Sequence, residues 1–175
     1  AAKAAGLDYD KTYLYSASHA SYYPGGSNMS IKILWDKKSL RLLGAQIVGF
    51  DGVDKRMDVL ATAIRFGAKV TDLANLELCY APPFGSAKDP INMAGFVAEN
   101  VITGKLRQFF WEDVESLPRD GSATLLDVRT DTERARGFID GFMHIPLDSL
   151  RDHLDQIPKG KPVYVHCHSG LRSYI

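Results

Sequence analysis

The stretch VYVHCHSGLRSYI, residues 163–175, holds the most chemically pointed spacing in the chain. A β-branched run delivers Cys167 into a short loop, and Arg172 follows five positions later. A strand that ends on a cysteine and turns through His168, Ser169, Gly170, Leu171 and Ser173 lines up successive backbone N–H groups around the sulfur. Such a cradle stabilises an anion, and the thiolate is the reactive form of cysteine. His166, His168 and Arg172 add positive or proton-donating character that favours it. A free cysteine is ordinarily a buried, inert one. The glycine and arginine in the same loop turn the reading toward a nucleophile.

Loop size then selects the electrophile. A tyrosine-phosphatase loop has one more residue between its cysteine and arginine, enough to wrap a phosphate. The smaller cradle here suits a single sulfur atom, so Cys167 would attack a sulfane sulfur, carry it as a persulfide and yield it to a thiol. Phosphatase chemistry is the disfavoured alternative. The segments LLDVRT (125–130), GFIDGFMHIPLDSL (137–150) and KPVYVHCHSGLRS (161–173) come in the order and spacing of rhodanese domains, and residues 109–175 resemble that family throughout. The resemblance implies that Cys167 carries the persulfide, that His168 to Ser173 supply the amides, and that Arg172 assists an anionic donor. Asp127 and Arg129 fall on the family's DVR motif and read as a supporting ion pair. His144 reads as a structural histidine. Rhodanese domains continue past this loop, and nothing follows Ile175. The expectation is therefore a domain truncated at its C-terminus, transferring sulfur poorly when these 175 residues stand alone.

A second constellation lies in LCYAPPFGSAKDPINMAGFVAEN, residues 78–100, where Pro82 and Pro83 hold Tyr80 on a rigid extended segment ahead of a helix. With SYYPGG (21–26) and LLGAQIVGFDGVDKRMDVLATAI (42–64), it resembles the C-terminal dimerisation domain of flavin-dependent pyridine nucleotide-disulfide oxidoreductases. The match is best to the coenzyme A-disulfide reductase and NADH oxidase branch, and it covers residues 1–104. The resemblance implies a homodimer in which Tyr80 reaches the partner subunit's FAD and the substrate sulfur. Tyr22 joins it as a second phenol, with Tyr23 the lesser choice and a substrate contact. Lys88 matches a position that contacts coenzyme A. Cys79 lacks a Cys-x-x-Cys partner or a charged cradle and reads as structural, and His19 as a turn or solvated histidine. No dinucleotide-binding GxGxxG lies on a strand-to-helix turn, and no His, Cys, Asp and Glu cluster has metal-ligand spacing. FAD and NAD(P)H would bind outside these residues.

The elements that must position these groups are legible as alternation and caps. Strands are expected over 12–18, 29–36 and 41–50, with turns at Gly25-Gly26 and 36–39. Helices are expected over 52–67, ending on Gly67, and from Pro90 to before Gly104. Together they make an α+β unit with an antiparallel sheet. From about 106 the rhythm becomes strand and helix in alternation, an incomplete parallel α/β unit. There, 109–118 reads as a strand running into a short helix, and 122–130 and 161–167 as buried strands. Residues 146–158 read as an amphipathic helix with Leu147, Leu150, Leu154 and Ile157 on one face. The 21 basic and 21 acidic residues balance, giving no basic field for nucleic acid or an anionic membrane. No apolar run approaches the ~20 residues of a spanning helix. The N-terminus reads as the tail of an interrupted helix, and the two unpaired cysteines fit a reducing cytoplasm.

The fusion of the two parts resembles coenzyme A-disulfide reductase–rhodanese proteins, which couple NAD(P)H oxidation to reduction of coenzyme A disulfide, coenzyme A persulfide or polysulfide. Two alternatives stand beside it: an NADH oxidase–rhodanese fusion, and a non-catalytic module for dimerisation and interaction.

Overall fold

The computed structural model describes residues 1–175, which divide into two compact units, 1–107 and 108–175. In the first, strands β1 (Tyr9–Ala17), β2 (Asn28–Asp36) and β3 (Leu42–Val48) form an antiparallel sheet in the order β1-β2-β3. The centre of its core is the inward face of β2. Met29, Ile31, Ile33 and Trp35 alternate along that strand and are all buried. The pairing of β2 with β3 shifts register between Leu34 and Trp35 of β2. It ends at Val48, short of the expected 50, and Phe50 is fully exposed.

Helix α1 (Val53–Arg65) contributes Leu60 to this core. It stops where Gly67 takes φ 72, with the Ala68 N–H donating to Ala63 O and the Gly67 N–H to Ile64 O. That pair satisfies two of the carbonyls a helix end leaves open. Helix α2 (Pro90–Ile102) starts from Asp89, whose carboxylate accepts the Ile91 N–H while Asn92 Oδ1 accepts the Asp89 N–H. A 3-10 turn, Val70–Asn75, lies hard against α2 at Gly95, where a Cβ would sit 2.9 Å from Ala74 Cα. Asn92 Nδ2 ties the two together by donating to Leu73 O and Leu76 O, each at 3.0 Å.

The second unit is a parallel sheet, β5-β4-β6, of β4 (Thr124–Asp127), β5 (Met143–His144) and β6 (Val163–His166). Short helices α3 (Asp131–Ala135) and α4 (Leu171–Tyr174) follow β4 and β6. Leu125, Phe142 and Leu117 pack on one face of the sheet; Leu126, Val128 and Ile145 pack on the other. Register pairs Asp127 with both His144 and His166. The carboxyl ends of three parallel strands therefore meet at one edge, where α/β sheets form their crevices.

Two expectations need correction here. Residues 109–110 are not strand; Phe109 packs edge-on to Tyr164, centroids 5.8 Å apart, ahead of a 3-10 turn, Trp111–Ser116. The segment Leu147–Gln156 is 3-10 and breaks at His153 (φ −124, ψ 17). The break leaves Leu154 55% exposed, while Leu147, Leu150 and Ile157 stay on the core. No helix is long and apolar enough to cross a membrane.

Candidate active site

Cys167 follows β6 directly, half-buried at the sheet's carboxyl edge. Gly170, at φ 95, turns the chain so that its N–H donates to Cys167 Sγ at 3.1 Å. Burial pushes the thiol up, but the Ser173 hydroxyl and the N–H groups of Ser173, Ser169 and Gly170 outweigh it. The thiol therefore sits below its ordinary value, which is the condition for a nucleophile. A cavity of about 350 Å³ opens beside it, lined by Arg129, Gly137, Phe138, Ile139, His166 and His168 along with Cys167 itself. His168 contributes to this wall, and Leu171 begins α4 with its side chain mostly exposed.

Arg172 lies in electrostatic range of the sulfur and is gripped by Glu133. Nη1 donates to Oε2 at 2.8 Å and Nη2 to Oε1 at 2.7 Å. Glu133 also accepts the Thr130 N–H and hydroxyl, at 2.9 and 3.0 Å. Arg172 above all, then Thr130, holds the Glu133 carboxyl well below the usual carboxylate range. Asp127, fully buried, collects Arg129 at 2.8 Å, Arg134 at 3.4 Å and His166 at 3.5 Å. Burial pushes its carboxyl up, and the Arg129 hydrogen bonds more than reverse this.

Of the positive or proton-donating character expected of His166, the positive part is disfavoured. Burial pushes its pKa down, and the edge of Phe142 packs on its ring with centroids 4.8 Å apart. Its Nε2 makes no hydrogen bond. His144 Nε2 meets Arg129 O at 2.8 Å. Glu133 is the residue the sequence reading missed. Its one local signal is the Thr130-x-x-Glu133 capping box, which marks a helix start and says nothing of Arg172.

In the first unit, the hydroxyls of Tyr22 and Tyr80 lie 2.8 Å apart, although 58 residues separate them. Their hydrogen bond raises the Tyr80 pKa. Both rings are exposed, as is Phe84. Tyr23 instead stacks edge-to-face with His19, which sits in the bend after β1 and is buried rather than solvated. One buried ion pair sets both loops. Arg56 Nη2 donates to Asp89 Oδ2 and to Ser18 O, each at 2.8 Å, while the Ala20 N–H donates to Gly85 O at 2.9 Å. Ser18 and Ala20 lead into Tyr22, and Gly85 and Asp89 lead out of Tyr80. Lys88 Nζ sits over the Phe96 ring, 5.1 Å from its centroid, at a separate cavity of about 310 Å³ lined also by Glu77, Ser86 and Asn92. Cys79 is exposed.

Residues 1–90 match the pyridine nucleotide-disulphide oxidoreductase dimerisation domain, and residues 110–175 match the rhodanese-like domain. A coenzyme A disulfide reductase of Staphylococcus epidermidis is 42% identical over 93 residues, 53% of this chain and 21% of that enzyme. A structure of reduced CoADR-RHD from Bacillus anthracis is 43% identical with a TM-score of 0.91, over 99% of this chain and 31% of the other. A NAD-dependent persulfide reductase from A. fulgidus is 40% identical with a TM-score of 0.81, over 99% and 30%. The chain thus spans less than a third of the length of each of these three proteins. With its first 90 residues fitting that dimerisation domain and a rhodanese-like domain behind them, this chain belongs to the pyridine nucleotide-disulphide oxidoreductase family.

Proposed function

We propose that the chain is the C-terminal part of a flavin-dependent NAD(P)H reductase of coenzyme A disulfide, coenzyme A persulfide or polysulfide, with sulfurtransferase chemistry at Cys167. The observation that carries this reading is the lowered Cys167 thiol in its amide cradle, in a chain that also presents the Tyr22–Tyr80 phenol pair. At Cys167 the thiolate attacks the outer sulfur of a donor R–S–S⁻. A Cys167 S–S bond forms, the donor S–S bond breaks, and R–S⁻ leaves with the electron pair. The amides of Ser169, Gly170 and Ser173 then face the charge of the bound persulfide.

The first unit forms the homodimer, and its exposed phenol pair fits a flavin site completed by the second subunit. FAD, when bound, supplies two-electron transfer from NAD(P)H to an S–S bond. Tyr80 and Tyr22 would hold that flavin and place a phenol proton at the sulfur that leaves. A phenol is protonated at neutral pH, and the hydrogen bond with Tyr22 shifts Tyr80 further in that direction. The overall reaction balances as CoA–S–SH plus NAD(P)H and a proton giving CoA–SH, H₂S and NAD(P)⁺. Lys88 is the proposed contact for coenzyme A.

In the full-length protein, sulfide release from thiosulfate is expected to require NAD(P)H and coenzyme A, and to fall about 100-fold in Tyr80→Phe. Release unchanged by omitting coenzyme A and by that substitution would overturn the reading.

A further inference from the structure

The charges around Cys167 are nearly all spent on one another. Asp127 takes Arg129 and Arg134, and Glu133 takes both terminal nitrogens of Arg172. Three guanidinium groups thus face two carboxylates, and the thiolate brings the cluster to neutrality. Arg129 spends Nε and Nη2 on Asp127, and Nη2 bonds Gly137 O as well, at 3.0 Å. A cradle built to draw in a dianion would leave its loop arginine free to form the two-pronged contact such anions favour. Here that fork is already closed on a carboxylate anchored from behind by Thr130.

We propose that Glu133 is a specificity-determining, positioning residue: it fixes Arg172 beside Cys167 and cancels its charge, so that the site accepts low-charge sulfane donors such as alkyl persulfides and discriminates against dianionic thiosulfate. The inference rests on the sulfur-transfer reading of Cys167. Either donor gives the same Cys167 persulfide. From thiosulfate the bond broken is S–S and sulfite leaves with the electron pair; from an alkyl persulfide the thiolate leaves. The donors differ in the charge brought to Arg172, and Glu133 opposes the larger one.

The test measures second-order rates of Cys167 persulfide formation by mass spectrometry in the full-length protein. The probes are thiosulfate and 2-hydroxyethyl persulfide. In Glu133→Gln, which keeps a capping residue at that position, the thiosulfate-to-persulfide rate ratio is expected to rise about tenfold, equivalent to ~1.4 kcal/mol. Glu133→Asp, which keeps the charge, should leave the ratio within about twofold of the wild type. An unchanged ratio in Glu133→Gln, or an equal shift in both variants, overturns the proposal. If Glu133→Gln does not fold, the wild type still decides. Its thiosulfate rate should be nearly flat with ionic strength, and a steep fall would show an uncompensated cationic cradle and overturn the proposal. Failure of the wild type to load sulfur from either donor would instead refute the sulfur-transfer reading itself.

Discussion

Asp127 concentrates the electrostatics of the second unit on one buried carboxylate, with Arg129, Arg134 and His166 all within 3.5 Å of it. The guanidinium groups are partly exposed, so water would recover some of their solvation if the carboxylate were lost. Asp127→Asn is therefore expected to cost about 2–4 kcal/mol, toward the lower part of the range for a broken buried pair, measurable by urea unfolding. The same carboxylate sets an acid limit. Its folded-state pKa lies below the ordinary 3.8, so the unfolded chain binds the proton more readily. Its contribution is fully present above about pH 5 and is lost as pH falls through 3.8 toward the folded value. In Asp127→Asn that portion of the acid destabilisation should vanish, and an unaltered pH–stability curve below 5 would contradict this account. Local spacing made the Cys167 to Arg172 loop and the DVR pair legible. Glu133 was not, because it meets Arg172 across 39 residues and no periodicity encodes such a pair.

At the level of elements, the close seat of α2 on the 3-10 turn Val70–Asn75 positions the segment that carries Tyr80. Alanine at 95 would favour the helix by ~0.5–1 kcal/mol over glycine. Its Cβ, however, would press on the backbone of Leu73 and Ala74, which cannot rotate away as a side chain can. Overpacking of this kind costs ~1–3 kcal/mol, so Gly95→Ala should lower the thermal midpoint of the first unit by roughly 5 °C. An unchanged midpoint would mean that the two elements part without cost. The strands and helices of this unit were readable because β2 alternates cleanly and because Gly67 and Pro90 punctuate the helices. Their contacts were not. Gly95 looks like an ordinary helical glycine until Ala74 is placed against it, and Arg56 meets Asp89 only across 33 residues. The failures in the second unit have the same origin. Phe109 is apolar because it packs on Tyr164, not because it is a strand, and His153 interrupts a pattern that periodicity alone would continue.

For the whole molecule, the question is whether the two units perform one step or two. The Cys167 cradle and the Tyr22–Tyr80 pair each assemble from residues of their own unit, with a cysteine thiol in one and two phenols in the other. On the proposed function, loading of sulfur and reduction of an S–S bond would be separable reactions joined by a diffusible or tethered thiol carrier. Cys167→Ser in the full-length protein should abolish the adduct of about 32 Da that marks one added sulfur. It should also abolish sulfide release that begins from thiosulfate, while preformed coenzyme A persulfide is still reduced at the expense of NAD(P)H. Tyr80→Phe should do the converse: Cys167 still gains its sulfur, and reduction of the preformed persulfide slows by about 100-fold. If Cys167→Ser stopped both reactions, the persulfide on Cys167 would itself be the reducible substrate. The cradle would then have to deliver its sulfur without a carrier.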